Sequence, residues 1–246
     1  MKGGWYFVLI ISSGILGMFV GGLVETKQPL TFVKDYLPSL TTLIGAFVGA
    51  WLAFEFQRQG AAEKARKENL AAGNRTILLL AQYVNELELI RRQVIDPVKN
   101  DPARFISMRA ILLPPYDHLR CEVGRLEFLF EQQKGDLLAE VLIEEFRFHQ
   151  AIDAIQYRSK IHISEVQPQL EKAGVIHGAQ YVSTVGEFKR LLGERLLATL
   201  VEATDDAIKH VESTIMSCTA VALKLNTALK TIFPKERVIS FEIAKP

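Results

Sequence analysis

Two stretches near the start of the chain contain no charged residue: residues 3–24 and residues 36–54. Each is close to the ~20 residues that a helix needs to cross a bilayer. Hydrophobic residues make up 49% of the chain, and the excess is concentrated at this end. The runs predict two membrane spans, at about 4–24 and 36–56, joined as a hairpin over residues 1–56. A cleaved signal peptide is the competing reading of the first run. Such peptides carry an apolar core of roughly 7–15 residues and a small-residue cleavage site, and this run is longer.

Flanking charge predicts the orientation, because Lys and Arg near span ends are retained on the cytoplasmic side. Arg58, Lys64, Arg66, Lys67 and Arg75 follow the second run, whereas segment 25–35 holds only Lys27 and Lys34. The expected placement is therefore a multi-pass protein of the cell (inner) membrane with both termini cytoplasmic. Trp5, Tyr6 and Trp51 would share one interface and Tyr36 the other.

Small residues recur every fourth position in both runs: Ser13, Gly17 and Gly21, then Thr41, Gly45, Gly49 and Ala53. Such faces let helix backbones approach closely. They serve either the hairpin itself or a homo-oligomer, for which Gly14 and Gly22 widen the first face. Neither run contains an ionisable residue, which argues against a charge-lined pore.

The rest, residues 57–246, is expected to be a cytoplasmic helical domain with a short C-terminal tail. Without the hairpin it holds 26 basic against 25 acidic residues, so direct nucleic-acid binding is not expected. Cys121 and Cys218 are the two cysteines, too few for a disulfide framework. Ile77, Leu80, Val84 and Leu87 place an apolar stripe on a helix that continues the second run and is ended by Pro97. Pro97, Pro102, Pro114 and Pro115 break the chain over 96–115. Helices are expected over 117–132 and 136–166, the latter closed by Pro168 and Gly174.

Thr184 with Glu187 three residues on forms a capping box, and one long helix should run from there to Ile232. Along it Leu197, Val201, Thr204, Ile208, Val211, Ile215, Cys218, Ala222, Leu225 and Leu229 alternate four and three apart. That is a coiled-coil-like seam, in which Ile208, Val211, Ile215, Leu225 and Leu229 are the candidate partner-binding residues. In the tail Ile239, Phe241 and Ile243 alternate as in a strand. The tail either packs over the bundle or pairs with a strand of another chain.

Chemistry-bearing motifs are not found: no phosphate-binding glycine loop, Cys-x-x-Cys, His-Glu-x-x-His or Gly-x-Ser-x-Gly. Glu145 with His149, and His118 with Cys121, lack a third ligand nearby. Glu144 with Glu145, and Asp205 with Asp206, are adjacent and point apart on a helix. Arg158 and His162 are four apart, closer than the Arg–His pair of HEPN ribonucleases, so that activity is not carried over. Asn74-Arg75-Thr76 matches a glycosylation acceptor, read as coincidence on a cytoplasmic helix. No catalytic, cofactor or metal site is expected, and the chain is read as not an enzyme.

A hairpin with faces Ser13/Gly17/Gly21 and Thr41/Gly45/Gly49, followed by a helical domain, resembles the two-transmembrane effectors of prokaryotic phage-defence systems, retron-linked ones among them. The resemblance implies an effector that perturbs or permeabilises the membrane under control of the helical domain. The alternative is a membrane-tethered adaptor or scaffold that recruits a partner through its bundle. The expected partners are the lipid bilayer and either further copies of the chain or another protein. The expected fold is all-α, a transmembrane hairpin followed by a bundle of long, coiled-coil-like helices.

Overall fold

The computed structural model of the 246-residue chain describes residues 29–174 and 185–240, and side chains within them except those of 29–37, 40 and 185. Every regular element among these residues is helical. They are α1 (Pro29–Ile90), a π turn (Arg91–Ile95), α2 (Arg104–Ser107), a 3-10 turn (Val123–Leu126), α3 (Phe128–Glu131), α4 (Gly135–Ile161), a second π turn (His162–Val166), α5 (Gln167–Lys172), α6 (Val185–Leu192) and α7 (Glu194–Ile232). The chain divides into two compact units, Met1–Ala65 and Arg66–Pro246, with the boundary inside α1.

Unit 2 is built on three long helices. The stripe predicted on α1 is buried, with Ile77, Leu80 and Leu87 fully enclosed, and it meets Val141, Phe148 and Ile155 of α4 and Val211, Ala222 and Leu225 of α7. Residues three and four apart lie on one face of a helix, so each helix presents one apolar stripe to the shared core. A smaller cluster, including Phe105, Ile161, Phe188 and Leu200, joins α2, α6 and the first turns of α7 to the end of α4.

The long helix expected from 184 to 232 is two helices. Gly193 has φ +76°, a left-handed conformation that glycine adopts without steric cost. It separates α6 from α7. Pro168 does not close the preceding helical stretch either, because it sits in the first turn of α5, where a missing amide proton costs little. Gly174, again at φ +76°, follows α5. Thr184 of the expected capping box lies outside the described residues, as do residues 175–183 before it.

Gly73 of α1 is a point of close approach to α7. A Cβ there would stand 2.6 Å from both Leu229 methyl groups of α7, and Leu229 is itself fully buried. Gly73→Val is expected to cost about 1–3 kcal/mol by overpacking. The same substitution in a Leu229→Ala background should cost less, a coupling that a double-mutant cycle in urea unfolding would read directly.

The expected membrane placement is corrected. Among the described residues no helix is long and apolar enough to cross a membrane. This overturns the reading as a multi-pass inner-membrane protein with both termini cytoplasmic, and with it the transmembrane hairpin of the expected fold. The first expected span, 4–24, lies outside the described residues. The second is part of α1 (Pro29–Ile90), whose uncharged run covers residues 36–54. Glu55 and Arg58, paired at 2.8 Å, end that run. The all-helical class stands.

Candidate functional site

Of the small-residue faces, Ser13, Gly17 and Gly21 lie outside the described residues. Thr41, Gly45, Gly49 and Ala53 fall on α1 and are exposed. The Thr41 and Thr42 hydroxyls donate to the Pro38 carbonyl at 3.0 and 2.8 Å, so their polar atoms are used locally. An added Cβ at Gly45 or Gly49 would meet nothing within 4 Å.

The seam on α7 is used inside the chain. Val211, Ile215, Leu225 and Leu229 are buried in the main core, and Ile208 is packed against it. In this arrangement their apolar surface meets α1 and α4 rather than solvent.

The paired acids diverge as their spacing predicts. Glu144 is buried against α7 and accepts from Ser217 Oγ at 2.5 Å and Cys218 Sγ at 3.3 Å, with Arg147 at 3.3 Å. Glu145 accepts from the Cys121 amide at 2.8 Å and pairs with Arg120 at 3.3 Å. Asp205 receives Nε and Nη2 of Arg104 at 3.0 and 2.9 Å. Each of these acids ties one element to another. Burial pushes the Cys121 thiol up to about 11 and also raises that of Cys218, so both are protonated at neutral pH and weak as nucleophiles. Among the described residues no three His, Cys, Asp or Glu side chains come together as metal ligands.

Arg158 and His162 are both buried near the end of α4. Arg158 donates from Nη2 to the Phe105 carbonyl at 2.9 Å and from Nε to Thr204 Oγ1 at 3.5 Å. It thereby joins α4 to α2 and α7.

One polar constellation has no counterpart in the sequence reading. Past Phe233 the chain turns at Pro234, and residues 237–239 lie across α1 and α7. Asn74 of α1 accepts from the Ile239 amide at 3.0 Å and donates to the Arg237 carbonyl at 3.4 Å. Asn226 of α7 donates to the Ile239 carbonyl. Val238, half-buried, packs against the main core. Two side-chain amides from different helices thus read the backbone of an extended segment. The signal in the sequence is slight: Asn226 lies beside the seam residue Leu225, and Asn74 belongs to the glycosylation-acceptor pattern.

An all-helical bundle with a clamped, extended tail is the class that these residues define. The chain matches no protein-family model, no curated protein and no solved structure.

Proposed function

We propose that the chain is a self-assembling adaptor: copies associate through the apolar stretch of α1 at residues 41–54, and the helical bundle of unit 2 recruits a protein partner. The surface of that stretch carries the reading. At 100° per residue, Leu43, Phe47, Trp51 and Phe54, with Ile44, Val48 and Leu52, cover one half of the helix circumference. Gly45, Ala46, Gly49, Ala50 and Ala53 cover the other. All of them are exposed. A helix that is apolar all round is normally a covered helix, and a large exposed apolar surface marks an interaction site. The small half lets a second helix approach while the large half supplies area to bury. A membrane-permeabilising role depends on spans that the described helices do not supply, so the adaptor reading is the one retained.

Light scattering on the purified chain tests the assembly. The expected mass is a multiple of 27.6 kDa, and Gly45→Leu with Gly49→Leu should move it towards the monomer. The thermal transition of the bundle should stay where it is, because neither glycine has a neighbour to disturb. A wild-type chain that runs as a monomer would overturn the reading.

A further inference from the structure

We infer that the cleft between α1 and α7 is a docking site for an extended peptide segment of a partner protein, filled in this structure by the chain's own residues 237–239. The inference rests on the recruiting half of the proposed function and says what the bundle recruits.

The site is built for backbone. Both polar backbone groups of Ile239 are taken by side chains, the amide by Asn74 and the carbonyl by Asn226. Asn74 also reaches the carbonyl of Arg237, so one amide spans two residues of the segment as a neighbouring strand would. Main-chain pairing of this kind supplies affinity for an extended segment, and side-chain pockets supply selectivity. Here the selecting position is Val238, whose side chain packs on the core, so the matching ligand carries an aliphatic residue there.

Asn226 carries the argument further than the tail alone. It lies in the interior of α7, is buried, and shares the apolar face of Leu225 and Leu229. Asparagine is a poor helix former, and a buried amide without a hydrogen bond is costly. An aliphatic residue would suit the bundle better, and the bond that Asn226 donates serves the segment lying over it. The link that leads to the clamped residues is lightly held. Pro234, Lys235, Glu236 and Arg237 are exposed. An ion pair on this stretch, Arg66 with Glu236, is 3.9 Å long and solvent-facing, and such pairs contribute little. A displaceable segment over a backbone-reading cleft acts as an internal competitor for the partner.

The test cuts the tail after the full chain has folded. A protease recognition sequence is placed at the exposed Pro234–Lys235 link, the chain is folded and cleaved, and a fluorescent peptide of residues 235–246 is added. The expected result is exchange of the peptide into the cleaved chain with no binding to the uncut chain. Asn226→Leu, which spares the apolar core, should weaken binding about tenfold or more, as the loss of a 1.4 kcal/mol interaction does. Methylation of the Ile239 amide nitrogen in the peptide should do the same with the protein unaltered, which separates loss of the clamp from loss of fold. Failure of the labelled peptide to bind a cleaved chain whose helical circular dichroism is intact overturns the proposal. Binding indifferent to the methyl group and to Asn226→Leu overturns it as well. Uncut and cleaved chains of equal light-scattering mass keep the outcome separate from assembly through α1.

Discussion

Replacing Phe148 with alanine is expected to lower the unfolding free energy of the bundle by about 3–5 kcal/mol, the range for truncating a large aromatic in a packed core. The ring is fully buried. Tyr83 of α1 stacks on it at 4.3 Å between centroids and 17° between planes, and Tyr116 meets it edge-on at 5.6 Å. Tyr83 cannot follow an emptied site, because its hydroxyl donates to the Leu119 carbonyl at 3.0 Å. The cavity should therefore persist rather than collapse. Phe146 provides the control. It lies two residues away on the same helix but is 63% exposed, and its truncation should change stability by about 0.5 kcal/mol or less. Urea unfolding followed by circular dichroism measures both, and equal losses would contradict the packing described for α4.

That contrast shows what the sequence could and could not tell. Periodicity identifies which face of a helix is apolar, and the stripes on α1 and α7 are buried as their spacing implies. It does not say what covers them. The α7 seam repeats at coiled-coil spacing, which suits a partner chain as well as α1 and α4, and only the fold shows that the latter two take it.

Breaks were harder to see. Gly193 stands between leucines and a glutamate, all good helix formers, and one glycine in such a run is often tolerated in a helix. What ends α6 there is a left-handed backbone at that residue. The two π turns have no residue signature at all.

The clamp escaped for a related reason. A motif search asks whether Asn74 can be modified, and the seam steps from Leu225 to Leu229 without using Asn226. Neither asks what a buried amide hydrogen-bonds to, which is the accounting that a folded chain must satisfy.

The same accounting gives the second large effect, at Arg158. It is the largest fully buried side chain among the described residues, and no carboxylate pairs with it there. Among the described residues Nη1 has no hydrogen-bond partner. Burial pulls its pKa down to about 10, so it remains a cation at neutral pH and bears the cost of leaving water. Arg158→Ala is expected to cost about 3–5 kcal/mol, because it opens a cavity where α2, α4 and α7 meet and removes the bond to the Phe105 carbonyl. Arg158→Met keeps most of the volume and removes the buried charge. The relief of desolvation should offset the unpaired carbonyl, which by itself costs about 1–3 kcal/mol, and the net loss should be about 1 kcal/mol or less. The two variants therefore divide the role of Arg158 into packing and charge. If methionine costs as much as alanine, the guanidinium's bonds to Phe105 and Thr204 hold this end of the bundle. If methionine is tolerated, the stem of the side chain does, and the charge is a burden that the rest of the core carries.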